Sequence, residues 1–271
     1  ATQPAFYAVS LSAWTLGYKG MMLPAALPAF YPDLAREDMQ AAVMVFHQRF
    51  STNTAPAWKL AQPFRLLAHN GEINTIEGNR RWAQARAFKW RSPTIDFRDL
   101  NPLVSMEGSD SQSLDNMLEV LLAGGLDLPV AMRIMIPPAT QSLEHKDADL
   151  AAFYQYYGLN LDSWDGPAGI VMCDGRYAAA TADRNGLRPA RWVLTADRHL
   201  TIASEVGTWD YAPSEVLAKG KLGPGEMIAV DLYSGQFIDS EAIDRLNRGR
   251  APFKRWLKQG MKFLVADLID P

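Results

Sequence analysis

Cysteine is nearly absent: the 271 residues contain one, Cys173. A single thiol excludes an internal disulfide and any cysteine cage around zinc or an iron–sulfur cluster, and it favours a reducing, cytoplasmic setting. A surplus of charge is missing too. Lys and Arg number 27 against 30 Asp and Glu, a net charge of −3, so no basic face marks a nucleic-acid binder. No uncharged run reaches the ~18 residues of a membrane span and no signal peptide is visible. Repeats, low-complexity tracts and Gly/Ser linkers are absent. What is present is ordinary globular material, 48% hydrophobic and 21% charged, in a length that suits one sandwich or α/β unit. The opening Ala1-Thr2-Gln3-Pro4, without a Met, reads as a processed or cut chain or a fragment.

Strand-like and helix-like stretches come in blocks. Phe6 to Leu11 and Trp14 to Tyr18 read as a hairpin, Ala41 to Gln48 as a buried strand and Arg65 to His69 as another. Leu27 to Ala35 reads as a short helix. Asn74 to Ala87 has helical spacing, with Ile76, Trp82 and Ala83 sharing a face. Ser109 or Ser111 caps a helix through Leu122 that Gly124-Gly125 ends. Asp127 to Ile136 and Asp149 to Tyr157 follow as helices. Strands then return at Ala168 to Met172, Tyr177 to Ala182, Arg191 to Leu194 and Leu200 to Ala203. Glu226 to Asp231 and Gln236 to Ile238 form a last hairpin, and a helical tail occupies about 250–271, from Pro252 on. Strands in bursts around a helical block predict antiparallel sheets with segregated helices, a two-sheet sandwich in one domain over 1–271.

The chemistry concentrates in three places: His47-Gln48-Arg49-Phe50-Ser51-Thr52, His69-Asn70-Gly71-Glu72-Ile73-Asn74 and Gly108-Ser109-Asp110. A strand ending in Asn70-Gly71 can aim one side-chain amide and one backbone N–H at the same carbonyl oxygen as it becomes an oxyanion. Asn-Gly is elsewhere mostly a hairpin turn, but here it leads from strand into helix. Arg49 offers a planar fork for a carboxylate, or is simply ion-paired at a strand end. Asp110 can hold an ammonium group, cap a helix, or do both. His47 reads as an orienting residue. Asp183-Arg184-Asn185-Gly186-Leu187-Arg188-Pro189 reads as a hairpin turn, Ser204-Glu205 as a buried polar support, and Cys173 as a packed strand residue with no base beside it.

These residues carry a resemblance. His47 to Thr54, Leu60 to Arg65, Leu67 to Ile76, Gly78-Asn79-Arg80-Arg81-Trp82, Gly108 to Ser111, Trp164 to Ala168 and Asp183 to Arg191 resemble the class II (N-terminal nucleophile) glutamine amidotransferase domain of the glutamate synthase large subunit. The likeness runs over essentially the whole chain. It implies an Ntn-hydrolase-like α+β fold, a four-layer αββα sandwich of antiparallel sheets that here lacks its N-terminal part. It implies that Asn70 and Gly71 form an oxyanion hole, that Arg49 binds the carboxylate of L-glutamine and Asp110 its α-ammonium, and it places His69 with the substrate-binding residues. The family's nucleophile is an N-terminal Cys, whereas position 1 is Ala. The expectation is therefore a C-terminal part of the glutaminase domain, inactive alone. Its ammonia would convert 2-oxoglutarate to glutamate in the synthase domains of the same enzyme. FMN and an iron–sulfur cluster belong to other segments, and none is expected in this chain. A small electron-donating subunit is a further partner, and the setting is cytoplasmic or plastid stroma. Another class II amidotransferase, or a non-catalytic binding module derived from one, stands as the alternative.

Overall fold

Ala168–Cys173 and Tyr177–Ala182 are short apolar runs separated by Asp174-Gly175. The Asp174 carboxylate closes the turn by accepting the N–H groups of Arg176 and Tyr177 at 2.9 and 2.7 Å. The two runs pair antiparallel and form the centre of the larger sheet. The computed structural model describes residues 7–50, 54–92, 95–141 and 143–262. In chain order the elements are α1 (Leu27–Phe30), β1 (Leu67–Gly71), α2 (Ile76–Ala85), α3 (Asp110–Ala123), α4 (Leu128–Met135), α5 (Leu143–Lys146) and α6 (Ala148–Gly158). Then come β2 (Ala168–Cys173), β3 (Tyr177–Ala182), β4 (Arg191–Thr195), β5 (Leu200–Ala203), β6 (Val216–Lys221), β7 (Met227–Asp231), β8 (Gln236–Ile238), α7 (Ser240–Gly249) and α8 (Phe253–Gly260). Among the described residues no helix is long and apolar enough to cross a membrane.

The strands make two antiparallel sheets, a five-stranded one in the order β1-β2-β3-β7-β8 and a three-stranded one in the order β5-β4-β6. One face of the larger sheet carries Leu67, Ile170, Met172 and Met227 and packs on α3 and α4 through Leu114, Met117, Leu118 and Met132. Each such fully buried side chain stabilises by roughly 1.5–3 kcal/mol. The other face, with Ala180, Ala182 and Ile228, meets the smaller sheet and its flanks at Ala190, Trp192, Ile202 and Leu222. Alanines on β3 leave room for Trp192, whose ring lies 5.6 Å from that of Phe237. Helices, sheet and sheet thus stack in three layers, an α+β arrangement with antiparallel sheets. A satellite core joins α6 and α8 to α4 through Phe153, Phe253, Leu257 and Ile134.

Some expectations need correction. The hairpin at Phe6 to Tyr18 is not formed: Phe6 lies outside the described residues, and 7–18 is irregular, with Leu11, Trp14 and Leu16 exposed. Apolar alternation favours a strand only where a neighbour completes the ladder, and these residues have none among those described. Ala41 to Gln48 is irregular for the same reason. The helix at Leu27 to Ala35 breaks at Tyr31 into α1 and a 3₁₀ turn at Pro32–Ala35, because Pro32 restricts the residue before it. Trp82 does not share the buried face of α2; it is exposed, with the Arg86 guanidinium 4.2 Å above its ring. Of the helical tail, α8 is present and 263–271 lie outside the described residues.

Candidate active site

Among the described residues β1 is an edge strand, and its parity decides what faces outward. Leu66 O accepts Cys173 N–H at 2.8 Å, and Glu72 N–H donates to Pro167 O at 2.9 Å. Even-numbered residues therefore bond to β2. Odd-numbered ones point away from the sheet. At Leu67 and His69 those outward groups are taken up locally. Phe64 N–H donates to Leu67 O at 2.8 Å, and the buried Gln62 carboxamide accepts His69 N–H at 2.6 Å and donates to His69 O at 3.1 Å. The same parity turns the Gly71 N–H outward at the rim. Asn70 is exposed beside it.

Two glycines let the rim close up. Gly71 has φ +149° and Gly166 has φ +155°. A Cβ on Gly71 would sit 1.8 Å from Pro167 O, and one on Gly166 would sit 2.0 Å from Glu72 O. The backbones of 71–74 and 165–167 therefore touch directly, and Asn74 N–H reaches Asp165 O at 2.7 Å. Only residues without a side chain fit there.

Helix α3 holds this rim from below. Ser109 caps it by accepting Gln112 N–H at 3.1 Å. Asp110 Oδ2 accepts Ile73 N–H at 2.8 Å. Ser111 Oγ lies 2.9 Å from His69 Nδ1 and donates to Asp110 Oδ1 at 3.3 Å. Asp110 and His69 approach within 3.9 Å. The His69 side chain is fully buried and its Nε2 has no hydrogen-bond partner among the described residues. Nε2 would lie 2.9 Å from a Gly71 Cβ, so the ring supports the glycine from beneath. Burial holds the imidazole below its ordinary pKa; Asp110 and the Pro167 carbonyl pull it up, and the charges of His47 and Arg188 push it down.

Of the expected site residues, Asn70, Gly71, His69 and Asp110 thus share one hydrogen-bonded frame. His69, expected to bind substrate, is sealed beneath Gly71 instead, because the alternation that exposes Asn70 turns it to the helix layer. Arg49 joins through His47, whose Nδ1 accepts Arg49 N–H at 3.1 Å. His47 is itself held low in pKa by burial and lies against the His69 backbone. The Arg49 side chain is exposed and makes no ion pair among the described residues.

Comparison with known proteins settles the family. The family model for class-II glutamine amidotransferases matches residues 1–256. The chain belongs to the class-II glutamine amidotransferases. It is 43% identical over 256 residues to the glutamate synthase [NADPH] large chain of Azospirillum brasilense, covering 93% of this chain and 17% of that one. To the glutamate synthase [NADH] of Saccharomyces cerevisiae it is 43% identical, covering 95% and 12%. To the ferredoxin-dependent glutamate synthase of Cyanidium caldarium it is 42% identical, covering 96% and 17%. The chain therefore spans less than a fifth of these relatives. A glutamine phosphoribosylpyrophosphate amidotransferase from B. subtilis aligns over 68% of this chain and 32% of its own at 18% identity and a TM-score of 0.40.

In this class-II amidotransferase the loop at 183–189 is a crossover, not the expected hairpin: β3 lies in the larger sheet and β4 in the smaller. The buried Asp183 organises it, accepting Ala168 N–H at 3.0 Å and Leu187 N–H at 3.1 Å on Oδ1, and Asn185 N–H at 3.0 Å on Oδ2. This Asx-type wrap brings Arg188 over β2. A Cβ on Gly169, the register partner of Asn70, would lie 3.4 Å from Arg188 Cβ. Paired residues share a face, so Arg188 overlooks Asn70. Ser204-Glu205 is exposed, not buried. Cys173 ends β2 half-buried, as expected, and burial raises its thiol pKa. Sequence reasoning missed Gln62, Ser111 and Asp115. Gln62 and Asp115 read as surface residues by type; the hints otherwise are that Gln62 lies just ahead of an apolar strand and that Asp115 lies among Leu114, Met117 and Leu118 of a largely apolar helix.

Proposed function

We propose that the chain forms the glutamine-binding, oxyanion-stabilising side of a glutaminase site and serves as the ammonia-releasing portion of a glutamate synthase. The Asn70 amide and the Gly71 N–H hold the carbonyl oxygen of the glutamine side chain as it becomes negative. The Arg49 guanidinium takes the α-carboxylate and Asp110 the α-ammonium; Asp110 Oδ1 keeps acceptor capacity because Oδ2 is engaged by Ile73. His69 acts on the hole through Gly71. The observation that supports this most is the strand parity that sends the Gly71 N–H outward at the rim, next to exposed Asn70 and one residue past the stretch that Gln62 covers.

A thiolate attacks the side-chain carbonyl, the oxyanion collapses, ammonia leaves with a proton, and water releases glutamate from the thioester. Cys173 is not that thiol: it lies four residues along β2 from the partner of Asn70, about 13 Å away in an extended strand, and its pKa is raised. In the glutamate synthase reading, ammonia passes to synthase domains that act on 2-oxoglutarate with FMN and an iron–sulfur cluster, in a cytoplasmic or plastid-stromal setting. Relatives named for NADPH, NADH and ferredoxin match this chain at 43, 43 and 42%, so donor choice lies outside this segment. The test is Asn70→Ala in the protein with its nucleophile in place. Glutaminase turnover should fall by about 10²–10³ with glutamine binding kept; unchanged turnover removes Asn70 from the hole.

A further inference from the structure

We propose that Asp115 is a positioning residue for the oxyanion hole: by gathering the backbone amides of Arg65, Leu66 and Leu67 it fixes where β1 begins, and hence where Asn70 and Gly71 end. The proposal rests on the glutaminase reading and adds a residue to it. Asp115 is buried in the middle of α3. Its Oδ1 accepts Leu66 N–H at 2.9 Å and Leu67 N–H at 3.1 Å, and its Oδ2 accepts Arg65 N–H at 3.3 Å. Successive amides of an extended chain point to opposite sides. Three in a row on one carboxylate therefore mean a concave nest, and the extended ladder can start only after it, at Leu67.

The same helix then grips the strand again. Asp115 to Ser111 is one helical turn, about 6 Å. Leu67 to His69 is two strand residues, about 6.6 Å. The two steps match, so α3 acts as a ruler along β1, with Asp115 at Leu67, Ser111 at His69 and Asp110 beyond the rim at Ile73. Without the first grip, β1 can shift against α3 and carry Gly71 with it. The surroundings make the carboxylate a deliberate choice. Burial pushes its pKa up to about 7 although three amides pull it down. Buried Lys19 faces it from the N-terminal segment, its ammonium 3.3 Å from the Tyr7 hydroxyl and 4.9 Å from the centre of the Phe64 ring. Glu119 on the next turn of α3 pairs with Arg65 at 2.9 Å. An apolar residue of the same size would tolerate this pocket better, but would leave the three amides unpaired.

The experiment is Asp115→Asn, which keeps one acceptor oxygen and sets an amide N–H₂ against Arg65 N–H. Glutaminase turnover in the protein with its nucleophile in place is read together with backbone amide exchange of the full chain. A misplacement near 1 Å costs on the order of 10²-fold in rate. We expect kcat to fall by about 10- to 100-fold while the glutamine KM stays within about two-fold. Exchange at the bonded amides of Asn70, Glu72 and Ile73 should quicken by at least about ten-fold, with β2 and β3 unchanged. Asp115→Glu, which keeps the charge and lengthens the reach, should give the same pattern at smaller amplitude, and it decides the matter where the Asn variant is unfolded. Unchanged exchange at these amides, or kcat and KM that move only with the folded fraction, overturns the proposal. Unchanged turnover in Asn70→Ala is a different result: it removes Asn70 from the oxyanion hole, the reading on which this proposal rests.

Discussion

Gly71→Ala offers a direct measurement of how tightly the rim is built. The new Cβ would lie 1.8 Å from Pro167 O, 2.8 Å from the Pro167 carbonyl carbon and 2.9 Å from His69 Nε2. Two of these three atoms are backbone, and the third belongs to a ring pinned by Ser111 at 2.9 Å, so no flexible chain end can yield. The backbone at φ +149° adds about 1–3 kcal/mol of conformational strain for a residue with a side chain. Overpacking adds about 1–3 kcal/mol more. The expected loss is therefore roughly 2–6 kcal/mol, which for a chain of this size lowers Tm by about 4–24 °C. Chemical denaturation of the full chain, followed by circular dichroism, reads this without reference to catalysis. Gly166→Ala, whose Cβ would meet Glu72 O at 2.0 Å, should cost about as much, and the double variant less than the sum because both open the same contact. A loss below about 0.5 kcal/mol for Gly71→Ala, the range of neutral surface substitutions, would refute the interlock.

Arg49→Ala should raise the glutamine KM by roughly 10- to 100-fold, the worth of about 1.5–3 kcal/mol for hydrogen bonds to a charged group; steady-state kinetics showing a smaller change would deny it the carboxylate. Asp115 has a folded pKa of about 7, above its unfolded value, so its contribution to stability is present below about pH 4 and disappears as pH rises through 7. Relative to Asp115→Asn, the parent should lose on the order of 4 kcal/mol between those limits, and parallel urea midpoints across that range would contradict the assignment. Arg133 is buried and ties α4 to the Gly225 carbonyl, to Ser240 Oγ at 2.6 Å and to Asp244 at 3.4 Å. Arg133→Ala should cost about 3 kcal/mol, the lower end for a broken buried pair because Asp244 is partly exposed; a thermal shift of a degree or less would show the tie to be idle.

The parts of the fold that were legible carry their own local chemistry. Ser109 caps the helix it precedes, Gly124-Gly125 ends it, and Asp174-Gly175 marks the β2–β3 turn. β6 was not legible, since Val216–Lys221 carries two lysines and a glycine, residues depleted in strands. Gly220 is there because a Cβ would lie 2.8 Å from the Trp192 ring, a reason that exists only once the neighbouring strand is in place. α7 escaped for want of apolar residues, with only Ile243 and Asn247 buried; its Asp239 cap and Glu241 in the first turn were the available signals. In the candidate site, Asn70, Gly71 and Asp110 stood out because their residue types suit the roles proposed for them. Gln62, Ser111 and Asp115 did not, because each works on a group that only folding brings beside it: the His69 backbone, the His69 ring and the amides of 65–67. The turn of the His69 ring toward the helix layer was not legible, since a motif shows adjacency and not which way a ring turns.

Gln62 has a consequence for how the larger sheet ends. An open strand margin is an invitation to any passing chain that can zip onto it. Here a single carboxamide plugs the margin at His69 and Phe64 plugs it at Leu67, so a newcomer would first have to dislodge both. The one outward position left beyond the plug is Gly71, too short a landing for a peptide and wide enough for a single oxygen atom. In the glutaminase reading proposed above, the side chain that closes the strand margin also sets the limit beyond which a substrate oxygen can reach the Gly71 N–H.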